Sequence, residues 1–254
     1  MANAVLIYEV KDQIAYITMN RPEKLNALNG DLQNALSQAW ERFEKDPDAR
    51  VAILNGAGRA FCVGTDIGYV SSGRPAQEAR SRPLVNGVNI LKPIIAAVHG
   101  YALGAGFGMV LKDCDLVVAA ENAKFGYPEA TRGMGGIDSL ARYMPFKVAL
   151  EITLSGQMIS AQRGYEVGFV NKVVPDAELM TEATKMANIL KKNAPLSLRV
   201  IKYGHYTEAS ERLSRLQREE LEYNALVLPR MNSEDSKEGI RAFLEKREPE
   251  FKGR

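Results

Sequence analysis

The residues best placed to do chemistry in this chain lie in two glycine-rich stretches, Gly56-Ala-Gly-Arg-Ala-Phe-Cys-Val-Gly64 and Gly100-Tyr-Ala-Leu-Gly-Ala-Gly-Phe-Gly108. The second sits between a short β-branched run, Ile94 to Val98, and an apolar stretch reaching Leu111 that suits a buried helix. Where strand, glycine turn and helix start follow one another, unpaired backbone N–H groups converge with the helix dipole behind them. Such a point holds a phosphate, or an oxygen that becomes negative during a reaction. The phosphate signatures are missing. No Gly-Lys-Ser/Thr follows the turn, and Gly104-x-Gly106-x-Gly108 is not the dinucleotide spacing G-x-G-x-x-G.

Few side chains accompany these turns. Glu129 follows Pro128, and Asp138 follows Gly135-Gly136; by type and place alone, each reads as an acid at a helix start, where the dipole favours it. His99 ends a buried strand and His205 sits in a C-terminal helix, so neither is expected to be catalytic. Cys62 and Cys114 are too few for a disulfide framework or a four-ligand zinc site, and Cys114 reads as a core thiol. Tyr69, Tyr127 and Arg132 are candidates for a pocket lining, or for the core or rim.

The elements that must position these residues follow from pattern. A chain of 254 residues, 46% apolar and 25% charged, suits one large domain, or one with an appendage, around a substantial core. A net charge of +2 gives no general electrostatic case for nucleic acid. The N-terminal run lacks a basic flank and is soon broken by Lys11 and Asp12, so neither a signal peptide nor a membrane span is expected, and the location is read as cytoplasmic.

Val5–Val10 and Ile14–Met19 read as a hairpin, Asn29 as the cap of a helix to about Glu44 with Leu32, Leu36, Trp40 and Phe43 on one face, and Val51–Leu54 and Asp115–Ala119 as strands. Residues 72–83 read as a mobile surface loop or lid. Helices are expected over Ile137–Tyr143, Lys147–Leu154, Ser160–Val167 and Asp176–Lys192, with a last strand over Phe169–Val174. From Pro195 only helices appear, over 196–208, 210–228 and 233–246. The fold class is therefore α/β with an all-helical C-terminal region, divided as a core over 1–194 and helices over 195–254. The apolar faces of the last helices suggest a subunit interface.

Six segments in order carry a resemblance. They are Ile17–Asn29 (ITMNRPEKLNALN), Gly58–Ile67 (GRAFCVGTDI), Lys92–Asp115, Phe125–Glu129, Leu154–Gln162 (LSGQMISAQ) and Ala242–Arg247 (AFLEKR). With these, the chain resembles the crotonase (enoyl-CoA hydratase/isomerase) superfamily along nearly its full length. The resemblance implies a spiral of ββα units, with C-terminal helices that assemble a homo-trimer or a dimer of trimers. It also implies an acyl-CoA thioester substrate, coenzyme A entering as part of that substrate, with no permanently bound cofactor and no metal. By match, Thr65 and Ala105 would supply the backbone N–H groups that hold a thioester enolate. The coenzyme A contacts would fall to the Lys24-Leu25-Asn26-Ala27 loop and to Asp66-Ile67. Phe243 and Lys246 would reach in from a neighbouring subunit.

The pattern is also broken. A two-carboxylate hydratase of this family has a glutamate just after the glycine turn, where this chain has Gly108, and a second that matches Glu129. The stretch from Gly108 to Cys114 is one residue longer than usual, which suggests a helix bulge, and the turn after Glu129 is shortened to Gly133-Met-Gly-Gly136. The resemblance then implies an enzyme with one glutamate as acid/base, which favours double-bond isomerisation or an atypical hydration over two-glutamate hydration. Asp138 is the candidate second acid. The alternative is a catalytically inactive acyl-CoA-binding or scaffold member; an RNA-binding role has little support from the charge.

Overall fold

The computed structural model describes residues 4–71, 90–132, 140–208, 233–245, 247 and 249–254. Strands β1 (Leu6–Lys11) and β2 (Ile14–Met19) form the expected hairpin. Its two turn residues, Asp12 and Gln13, both have positive φ, 50° and 63°, the combination whose twist matches that of the flanking strands.

From β2 the sheet runs parallel through β3 (Val51–Gly56), β4 (Ile94–Val98), β6 (Leu116–Ala120) and β9 (Lys172–Val174), in the order β1-β2-β3-β4-β6-β9. Parallel strands covered on both faces read as continuous apolar runs, which is why all five residues of Ile94–Val98 are buried. A second sheet joins β5 (Tyr101–Leu103), β7 (Lys124–Gly126) and β8 (Met158–Ser160).

Helices cover both faces of the large sheet. On one side lies α1 (Gly30–Lys45), capped by Asn29, whose Oδ1 accepts from the Leu32 N–H at 3.0 Å, with Leu32, Leu36, Trp40 and Phe43 buried. The same core takes α3 (Ala105–Lys112), whose Phe107 meets Phe125 and Phe169 at centroid separations of 5.4 and 5.3 Å. On the other side, Leu179, Ala183 and Ala187 of α6 (Leu179–Lys191) pack on Ile53, Ile95 and Val118. The short helix α2 (Ile67–Ser71) follows the first glycine loop, while α4 (Phe146–Ser155) and α5 (Ala161–Glu166) flank β8.

After Val174 the described residues form helices and no strand, ending with α7 (Pro195–Glu208) and α8 (Glu234–Glu245). Asp115, at the foot of β6, ties α7 down. Its carboxylate accepts from Lys202 Nζ at 2.8 Å, Tyr206 OH at 2.9 Å and the Ile94 N–H at 2.7 Å. Asp235 of α8 accepts from the Lys252 and Gly253 N–H groups at 2.6 and 2.8 Å, fastening the end of the chain.

Three expectations change. The last strand is only Lys172–Val174, because Gly168 turns the chain at φ 95° and Phe169 enters the aromatic cluster instead of continuing an extended run. No bulge occurs in α3: bonding is i to i−4 from the Gly108 N–H on Gly104 O to the Asp113 N–H on Met109 O, both at 2.9 Å. Of the helix expected over Ile137–Tyr143, the described part is one 3₁₀ turn, Leu140–Arg142. The lid (72–83) and the helix over 210–228 fall outside the described residues.

Asp113 caps the C-terminal end of α3, where the dipole disfavours an anion. Its Oδ1 is buried with no hydrogen-bond partner among the described residues, and burial pushes the carboxyl up to about 7. A carboxyl raised in the folded state destabilises it increasingly as pH climbs from the ordinary carboxylate range towards that value. Asp113→Asn should therefore raise stability by roughly 1–3 kcal/mol at pH values above the raised one. Thermal melts as a function of pH should show the gain shrinking as the solution is made acid.

Candidate active site

The first glycine loop is held by the loop before α1. A 3₁₀ turn, Pro22–Lys24, leads into Leu25 and Asn26, both left-handed at φ 51° and 56°. Asn26 is fully buried. Its Oδ1 accepts from the Arg21 N–H at 2.8 Å, and its Nδ2 donates to Ala57 O and Ala60 O at 2.9 and 2.8 Å. The Arg21 guanidinium pairs with Asp66 at 3.2 Å and also donates to Ala27 O.

Leu28 then binds both flanks of Thr65: its N–H donates to Gly64 O at 2.8 Å and its carbonyl accepts from the Asp66 N–H at 3.0 Å. In an extended segment alternate residues face opposite edges, so this pairing leaves the Thr65 N–H on the far edge.

The second turn zips onto the first. Cys62 N–H donates to Tyr101 O and Leu103 N–H to Cys62 O, each at 2.9 Å, and the Gly104 N–H donates to Gly126 O at 2.9 Å. Gly104 adopts φ 53°, ψ −122°, and Ala105 begins α3, so its N–H has no intrahelical acceptor. Among the described residues, neither the Thr65 nor the Ala105 N–H donates a backbone hydrogen bond.

The two turns approach closely. A Cβ on Gly64 would lie 2.8 Å from Leu103 O and 3.3 Å from the Ala105 nitrogen. Glu129 enters from β7, which pairs in parallel with β5, on a 3₁₀ turn Pro128–Arg132. Its carboxyl rests on the Gly104 Cα: a Cβ there would lie 2.3 Å from Oε1, 3.4 Å from Cδ and 3.8 Å from Oε2. Oε2 is shielded from solvent. The structure thus brings together the Thr65 N–H, the Ala105 N–H and the Glu129 carboxyl, with an exposed face at Thr65.

Other expected positions scatter. Lys24 and Ile67 are exposed beside the same loops and Leu25 is half-buried, whereas Ala27 is buried with its carbonyl taken by Arg21. Phe243 lies on α8, and Lys246 and Asp138 fall outside the described residues. The buried Asn26 clamp and the Arg21–Asp66 pair are additions to the sequence reading. The local signal for the clamp was an asparagine in a tight loop, a residue type that tolerates the left-handed region.

Cys62 is no nucleophile, since burial pushes its thiol up to about 12. A cavity of about 540 Å³ on the far side of α3, lined by Leu111, Cys114, Tyr143, Phe169, Ile201 and Tyr206, contains none of the converging groups. Among the described residues no cluster of His, Cys, Asp and Glu is placed to hold a metal, and no helix is long and apolar enough to cross a membrane.

Comparison with known proteins finds relatives along nearly the whole chain. The enoyl-CoA hydratase/isomerase family pattern matches residues 9–254. The chain is 36% identical to an (E)-benzylidenesuccinyl-CoA hydratase of Thauera aromatica, covering 96% of this chain and 98% of that one. It is 34% identical to the enoyl-CoA hydratase EchA19 of Mycobacterium tuberculosis, covering 98% and 96%. The solved enoyl-CoA hydratase EchA1 of Mycobacterium marinum superposes with a TM-score of 0.87 at 34% identity, covering 99% of this chain and all of that one. With the crotonase fold seen in its sheets and the family pattern spanning its length, this chain belongs to the enoyl-CoA hydratase/isomerase family.

Proposed function

We propose that the protein hydrates the double bond of an enoyl-CoA thioester, and reverses that hydration, with Glu129 as carboxylate acid/base. The carrying observation is the Glu129 Oε1 against Gly104, next to the uncommitted N–H of Ala105 and across from that of Thr65. A thioester carbonyl accepting from both N–H groups places its acyl carbons beside that carboxyl. As the oxygen of water bonds to C3, the C2=C3 electron pair moves onto the thioester oxygen, and the two amides hold the resulting enolate. Glu129 takes the proton from the water and returns it to C2.

The same parts can move a double bond, taking a proton from C2 of a 3-enoyl thioester and giving it back at C4. Hydration is preferred because the three relatives compared are named hydratases. The exposed Lys24 and Ile67 flank the loops on which coenzyme A would lie, and the Arg21–Asp66 pair keeps those loops together.

Incubation with crotonyl-CoA and, separately, with a 3-enoyl-CoA in deuterated water tests the proposal. Loss of the conjugated double bond of the first, with deuterium at C2 of a 3-hydroxyacyl product, is the expected result. Turnover of the second alone identifies an isomerase. Tight coenzyme A binding with no turnover across a panel of thioesters overturns the enzymatic reading in favour of a scaffold.

A further inference from the structure

The three glycines from the cap of α3 into its interior are not equivalent. Gly104 needs to be glycine twice over, for its φ of 53° and because a Cβ would strike Glu129 Oε1 at 2.3 Å. Gly106 needs it once, because a Cβ would fall 2.2 Å from Cys62 O. Gly108 has neither reason. It is buried in the helix interior, outside the left-handed region, and a Cβ there would meet no described residue within 4 Å. Glycine inside a helix is less favourable than alanine, and here the backbone gains nothing for it.

The position of Gly108 is informative. Gly108 lies three residues after Ala105, on the same helix face and roughly 4.5 Å further along the axis. Its N–H bonds to Gly104 O at 2.9 Å, so it sits one turn below the residue on which the Glu129 carboxyl rests. A thioester whose carbonyl oxygen is held at Ala105 and whose C2 faces Glu129 extends its C3 substituent along this turn.

We infer that Gly108 is a specificity-determining residue that opens the acyl site beside C3 to a bulky apolar substituent, such as an aryl ring. The inference rests on the thioester reading proposed above. Here the missing side chain is what admits the group, and the fold does not require it.

The test compares cinnamoyl-CoA with crotonyl-CoA in the native protein, in Gly108→Leu and in Gly108→Ala, with thermal melts alongside. A Cβ meets no described neighbour, so Gly108→Ala is expected to melt no lower than the native protein. The ratio of kcat/KM for cinnamoyl-CoA to that for crotonyl-CoA should fall by about tenfold or more in Gly108→Leu, and by less in Gly108→Ala. An unchanged ratio, or an equal fall for both thioesters, overturns the inference while leaving the proposed reaction standing. If the native protein turns over neither thioester, the proposed reaction fails, and calorimetry with 3-phenylpropanoyl-CoA and butanoyl-CoA then reads the same preference as binding. Loss of aryl preference in the variants supports the role of Gly108, and constant relative affinity sinks it.

Discussion

Glu129→Gln is expected to lower kcat for hydration by about 10²–10⁴-fold, the range over which a positioned proton carrier contributes. Glutamine keeps the shape that rests on Gly104, where a Cβ would lie 2.3 Å from Oε1, so the turn, the melting temperature and thioester affinity should change little. Other described acids are poorly placed to substitute. Asp66 is paired with Arg21 at 3.2 Å, Asp115 is committed to Lys202 and Tyr206, and Asp113 lies at the opposite end of α3. A steady-state assay of the purified variant decides the matter: a loss below about tenfold means that some other group moves the proton.

Gly64→Ala should damage the site from the other side. The residue has φ 93°, and its new Cβ would sit 2.8 Å from Leu103 O and 3.3 Å from the Ala105 nitrogen, between the two turns. Strain at a left-handed position costs about 1–3 kcal/mol. Pushing the turns apart also spoils the spacing of two donors, and losing one such donor reduces kcat by roughly 10²–10³-fold. Gly168→Ala separates the two effects. Gly168 has nearly the same φ, 95°, yet a Cβ there meets no described residue within 4 Å. Both variants should melt lower than the native protein, and only Gly64→Ala should lose turnover. Equal activity in the two would show that the gap between Thr65 and Ala105 is not where the reaction occurs.

Legibility followed the range of the interaction. The hairpin, the Asn29 cap, the buried face of α1 and the strand Ile94–Val98 were all readable, because turn residues, capping oxygens and apolar periodicity act within a few positions. The strands β5, β7 and β8 were not readable as a sheet, since each has three residues and their pairing joins segments over twenty positions apart. The site divides in the same way. A glycine turn before a helix announces free N–H groups locally, but their partner loop is brought in by bonds such as Leu28 to Gly64 and Asn26 to Ala60. Local pattern read Glu129 as a helix-start acid, and it does open a short helical turn after Pro128; its approach to Gly104 was legible only through the family resemblance. Asp113 escaped notice because nothing in its type or neighbours reveals how deeply the end of α3 is covered.

The way Leu28 grips the peptides on both sides of Thr65 sets a peculiar mutational tolerance. If the working atoms at residues 65 and 105 belong to the main chain, the side chains there carry no message, and a saturation library should accept many replacements at both. Proline is the exception, since it alone erases the hydrogen that each peptide contributes. The instructions are written one residue earlier, at Gly64 and Gly104, where even a single methyl group is too much.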